Sequence, residues 1–184
     1  MSDDSALSVL DVDSGKEVAC LAGKLQPAVF ASYADQIGRW YNWASLMVER
    51  NGHGHAVLLW LREYSRLTVL SGHDGNVGWL SSGKGKVLLY DGAAEAFRNR
   101  ETILHSFAAF TQLCGIRGST LRAPDRQHDD RADSYALALV ALPVARRERA
   151  GWGEPFVCGH YPDPCGDRGS FRQGTQWTRR SGER

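Results

Sequence analysis

At 184 residues the chain can bury one real core and is too short for two ordinary domains plus a linker. Hydrophobic content of 42%, charged content of 23% and a mean hydropathy of -0.37 exclude a disordered or membrane-embedded polymer. No apolar run approaches the roughly 20 residues that a membrane helix needs. A formal net charge of +1 gives no global electrostatic attraction to nucleic acid, so any DNA contact requires a local patch.

The first residues, MSDDSALSVLDVDSG, are acidic and contain no basic region followed by an apolar stretch, so a cytosolic address is expected rather than secretion. Ala6 to Asp11 and Glu17 to Ala22 read as two strands around a turn at Asp13-Ser14-Gly15, which makes a hairpin. Pro27 suits the first turn of a helix. Phe30, Ala34, Ile37, Tyr41 and Ala44 then recur at helical spacing, predicting an amphipathic helix over 27–43.

Ser45 to Glu49 (SLMVE) is a short apolar run closed by a carboxylate, the pattern of a buried strand that delivers one polar side chain at its end. RNGHGH forms a turn, Ala56 to Tyr64 a helix and Arg66 to Leu70 another strand. Strand, helix and strand in alternation predict an α/β fold. Further on, Lys84 to Arg100 predicts a helix, Thr102 to His105 an edge strand, and Phe107 to Cys114 a short helix capped by Gly115.

The segment HDDRADSYALALVAL opens a last helix with acidic residues, which complement its dipole. From Ala145 the composition turns to Arg, Gly, Pro and isolated aromatics without periodicity. Residues 1–144 are therefore expected to be the domain and 145–184 a disordered tail. Cys20, Cys114, Cys158 and Cys165 are scattered, two of them in apolar contexts that suggest burial, and no disulfide is expected. In the tail, Cys158, His160 and Cys165 lack a fourth zinc ligand. Trp152 and Trp177 with Arg146, Arg147, Arg149, Arg179 and Arg180 could contact DNA by stacking and charge.

Two features carry candidate chemistry: Glu49 at a strand end, and His128, Asp129, Asp130 and Asp133 at a helix start. Phosphodiester hydrolysis with two divalent metals needs carboxylates from different elements to converge, because hard oxygen ligands bridge Mg²⁺ or Mn²⁺ ions about 4 Å apart. The plainer reading of aspartates in a first turn is helix capping. For Glu49 the plainer reading is a salt bridge.

The stretches YNWASLMVERNGHGHAVLLWL, VGWLSSGKGK and HDDRADSYALALVAL together resemble the nuclease domain of phage terminase large subunits, in the order and rough spacing of that family, over most of residues 3–142. The ERN turn after an apolar strand, paired with the HDD-x-x-D helix start, carries the specificity. The resemblance implies a ribonuclease H-like mixed sheet flanked by helices. It also implies a Mg²⁺ or Mn²⁺ site in which Glu49 and Asp130 are metal ligands, with Asp129 and Asp133 as competitors for the helix position. His128 would orient a carboxylate or assist proton transfer, Asn51 and His53 would shape the turn beside Gly52 and Gly54, and Lys84 and Lys86 would touch DNA phosphates.

In that family a first strand with an Asp-x-x-x-Gly signature supplies a further acid. SDDSALSVLD resembles the stretch that follows it, so this strand is expected to lie before residue 3, and the fold to lack it. Asp3 and Asp4 are the nearest substitutes on a neighbouring strand. No G-x-x-x-x-G-K-[ST] loop occurs in the sequence, so ATP hydrolysis is not expected of it. The implied function is a metal-dependent endonuclease that cuts concatemeric double-stranded viral DNA in the host cytoplasm, with a portal protein and a small terminase subunit as partners. The alternative is a prophage remnant that keeps the fold and docks to DNA or portal without cutting.

Overall fold

A computed structural model describes residues 4–151, with side-chain environments to residue 149. The expected hairpin is present as β1 (Ser5–Leu10) and β2 (Glu17–Gly23), antiparallel with Ser5 opposite Gly23 and a register shift at Val9/Leu10. Asp11 closes the turn by accepting the Ser14 amide at 2.8 Å and its hydroxyl at 2.6 Å. Gly15 is required there. Its φ is +68°, and a Cβ would lie 2.0 Å from the Glu101 carbonyl oxygen.

Helix α1 (Pro27–Trp40) begins with proline in its first turn and stops three residues before the expected end. Asn42 and Trp43, at φ 56° and 60°, turn the chain out of the helix. The α1 face of Ala31, Ala34 and Gly38 is small, and α2 (Gly54–Tyr64) packs on it through Val57 and Leu61. Asp35 is buried beside this contact and is satisfied by the Ser65 hydroxyl at 2.6 Å and Arg39 Nε at 3.0 Å.

The run from Ser45 to Glu49 is extended and half-buried, and it forms isolated parallel bridges rather than the continuous buried strand expected. Leu46 pairs with Val69 and Glu49 with Trp79. Leu46 N donates to Thr68 O and Leu70 N to Leu46 O, both at 2.8 Å. Trp79 N donates to Val48 O at 2.7 Å, and Arg50 N to Trp79 O at 2.9 Å. Arg66 to Leu70 and Thr102 to His105 likewise contribute single bridges, at Val69 and, opposite Lys16, at Ile103. Among the described residues the one continuous ladder is the two-stranded hairpin.

Helices α3 (Gly83–Arg98), α4 (Phe107–Gly115) and α5 (Asp130–Gly151) follow. Ser82 and Ser106 cap α3 and α4 by accepting the amides of Gly85 and Ala109 at 3.2 Å. Gly115 is the last helical residue of α4 rather than a left-handed cap, and Ile116 leaves extended. Helix α5 supplies most of the core through Tyr135, Ala136, Leu137, Leu139 and Leu142, packing on β1, α3 and α4. It continues past Pro143 and residue 144, so the regular chain extends further than composition indicated.

Tyr135 joins this core to the hairpin. Its hydroxyl lies 2.5 Å from Thr102 Oγ1, which donates to Gly15 O at 2.7 Å. Cys20 and Cys114 are both free and exposed, which corrects the expected burial; each sits on the outer side of its element. The tail features at Trp152, Cys158, His160, Cys165, Trp177, Arg179 and Arg180 lie outside the described residues. No described helix is long and apolar enough to cross a membrane.

Candidate metal centre

Glu49 is presented by backbone that is pinned on both sides, because Val48 O and Arg50 N are each bonded to Trp79. The RNGHG turn behind it is tight. Gly54 N donates to Asn51 O at 2.9 Å, and a Cβ on Gly54 would sit 1.7 Å from the Glu49 carbonyl oxygen, so only glycine lets α2 start there. Asn51 Oδ1 accepts the Ser81 amide at 2.8 Å, which fastens the turn to the entry of α3. The Ser81 side chain in turn hydrogen-bonds the Glu49 carboxylate.

Gly85 permits the equivalent approach on the other side, with a Cβ position 2.0 Å from Leu80 O. Lys86 and Tyr90 follow one turn apart on α3 and reach across to α5. The Lys86 ammonium ion-pairs with Asp133 Oδ2, and the Tyr90 hydroxyl donates to Asp133 Oδ1 at 2.5 Å. Arg50 faces away and pairs with Asp74.

The carboxylates sense one another. Burial raises the proton affinity of Glu49 above the usual carboxylate range, with the charges of Asp133 and Asp129 adding to it and the Ser81 hydrogen bond and Lys86 opposing. Burial likewise raises Asp133, opposed by Lys86 and Tyr90. Tyr90 is pushed strongly upward by burial and by these same carboxylates, so it stays a neutral donor.

The capping reading of the helix aspartates is answered by geometry. The first-turn amides of Arg131 and Ala132 are bonded to Gln112 Oε1, at 2.8 and 3.2 Å, from α4. Asp129 Oδ2 accepts the Ala123 amide at 3.3 Å. Asp130, the helix ligand favoured from sequence, accepts the Asp4 amide at 3.0 Å and lies 3.6 Å from His128 Nδ1. The charges with the largest effect on Glu49 come from Asp133, Lys86 and Asp129. His53 is exposed at the start of α2, and Lys84 is exposed on the first turn of α3.

Ser81 and Tyr90 were not recognised as site residues from sequence. The signal that could have found Tyr90 is its spacing, because Lys86 and Tyr90 at i and i+4 must share a helix face.

Hard oxygen donors from a strand end and a helix start suit a divalent cation, and Mg²⁺ commonly uses one or two carboxylates while keeping several waters. Glu49 and Asp133 match that donor set. Among the described residues, no three His, Cys, Asp or Glu side chains stand close enough to hold a metal unaided.

The comparisons with solved structures bear on this arrangement. The large terminase nuclease from thermophilic phage G20c with bound magnesium superposes with a TM-score of 0.63 at 21% identity, covering 75% of this chain and 74% of that one. The same nuclease with bound cobalt gives 0.64 at 21%, and with bound zinc 0.60 at 19%, at the same coverage. This chain has the fold of a large terminase nuclease. No protein-family model and no curated protein matches the sequence. The terminase nuclease fold is thus shared at low identity, and within this chain the charges of Asp129 and Asp133 act on Glu49.

Proposed function

We propose that the chain is a ribonuclease H-like, metal-dependent endonuclease domain of a viral DNA-packaging terminase, acting on concatemeric double-stranded DNA. The observation that carries this reading is the electrostatic coupling of half-buried Glu49 to Asp133 on α5, whose carboxylate is held by the Lys86 and Tyr90 pair, with the Asp129 charge acting on both. The fold shared with the phage G20c terminase nuclease supports it.

Glu49 and Asp133 would hold Mg²⁺ or Mn²⁺, with water completing the shell. When bound, the metal would supply the Lewis acidity that activates water and stabilises the leaving oxygen. The chain's own residues prepare for it. Ser81 orients Glu49, Tyr90 fixes Asp133 Oδ1, and burial of two carboxylates creates a demand for positive charge. Asp133 replaces Asp130 as the favoured helix ligand, and His128 acts on Asp130 as a positioning group. Exposed Lys84 would contact phosphate. The portal protein, the small terminase subunit and the host cytoplasm follow from the same reading.

Plasmid nicking with Mn²⁺ tests it. Cutting by the parent that is lost in Glu49→Ala and in Asp133→Asn is the expected outcome, with Asp130→Asn less affected. A second reading, a non-catalytic fragment that docks to DNA or portal, draws on the lack of a three-ligand cluster among the described residues. A parent chain that folds, binds DNA and never cuts would decide for it.

A further inference from the structure

Both carboxylate oxygens of Asp133 are already engaged, Oδ2 by the Lys86 ammonium and Oδ1 by the Tyr90 hydroxyl at 2.5 Å. This is an enclosed arrangement, with 18% of the Lys86 side chain and 15% of the Asp133 side chain exposed. The Lys86 ammonium also lies 5.7 Å from the Tyr90 ring centroid, so the ring and the carboxylate hold it together. Its charge reaches Glu49 as well. Arg50, next to Glu49 in sequence, is committed to Asp74, and Asp74 is held at about 2, first by the Asn76 side chain and then by Arg50.

An ammonium and a divalent cation compete for the same oxygen lone pairs. Like-charged carboxylates packed together out of water need one of the two. We infer that Lys86 is the resident counter-cation of this site, neutralising Asp133 in place of metal, so that metal binds only by displacing it. The inference rests on the metal-site reading above and adds a control to it. Lys86 keeps the acidic cluster folded without metal and weakens metal affinity. A metal taking Oδ2 also releases an ammonium at the mouth of the site, where a phosphodiester can receive it, so metal and DNA binding favour each other.

Isothermal titration of the full chain with MnCl₂ at fixed ionic strength tests this. Lys86→Met keeps the aliphatic stem and removes the charge. It is expected to tighten Mn²⁺ binding at least tenfold, to melt earlier than the parent in EDTA, and to regain that loss with Mn²⁺. Lys86→Arg should bind Mn²⁺ as the parent does. Unchanged or weaker Mn²⁺ affinity in a folded Lys86→Met chain overturns the inference.

If Lys86→Met does not fold in EDTA, Lys86→Gln serves instead, because it removes the charge and keeps a polar donor on the same stem. A several-fold gain in Mn²⁺ affinity is then expected, and no gain overturns the inference. Parental nicking together with unchanged affinities would remove only the role of Lys86. Absence of Mn²⁺ binding in every variant would remove this inference and the metal-site reading together.

Discussion

Gln112 Oε1 on α4 accepts the backbone amide of Arg131 at 2.8 Å, in the first turn of α5. This bond, with its companion to Ala132 at 3.2 Å, satisfies the amides that Asp129, the residue before α5, would otherwise cap. Capping and site chemistry are therefore carried by different residues. Gln112→Ala is expected to cost about 1 kcal/mol in urea denaturation, the usual value of a lost cap. Asp129→Asn keeps the acceptor for Ala123 and should cost less.

Gly54 lies against the Glu49 carbonyl, where a Cβ would approach to 1.7 Å. Gly54→Ala must therefore move α2 or Glu49, and a loss of about 2 kcal/mol or more is expected from such overpacking. Gly52 has φ +50° with nothing within 4 Å of a Cβ. Gly52→Ala should lose only about 1 kcal/mol, from backbone strain alone. Equal losses in the two variants, measured by chemical denaturation, would contradict the close approach.

The buried Glu49 carboxyl makes stability depend on pH. Its proton affinity in the fold is raised above the ordinary value of 4.5, so the folded form keeps a proton that the unfolded chain has released. Ionisation then costs stability as pH climbs from 4.5 towards the folded value, and the full cost persists above it. Glu49→Gln never ionises. In EDTA it is expected to be more stable than the parent at pH 7.5, with the difference closing as pH falls below 4.5, followed by denaturant melts across that range.

Lys84 is exposed on the first turn of α3, and the proposed nuclease function makes it a phosphate contact. Lys84→Ala is expected to weaken duplex binding regardless of base sequence, and to reduce the slope of log affinity against log salt by about 1. Fluorescence anisotropy at several salt concentrations measures this, and an unchanged slope would exclude the contact.

Much of the fold was legible because helical periodicity is a local signal. The helix predicted from Lys84 to Arg100 lies within two residues of the observed bounds of α3, Gly83–Arg98. Local signals failed where tertiary contacts decide. No glycine announced the end of α1, where Asn42 and Trp43 adopt positive φ. The apolar run before Glu49 suggested a continuous strand, but its pairing with residues 68–79 is a set of separate bridges. At the site, Glu49 and the aspartate cluster stood out as carboxylates at element ends. The choice among the aspartates was illegible, because Lys86 and Tyr90 single out Asp133 from 47 and 43 residues away in sequence.

The central claim is that Glu49 and Asp133 share one divalent cation, and anomalous scattering from crystals soaked in Mn²⁺ tests it most directly. The expected result is a single strong peak bounded by the Glu49 and Asp133 carboxylates, with Lys86 displaced from Asp133 Oδ2. A peak at Asp130 and His128 instead, or none at millimolar Mn²⁺ with Lys86 still on Asp133, would contradict it.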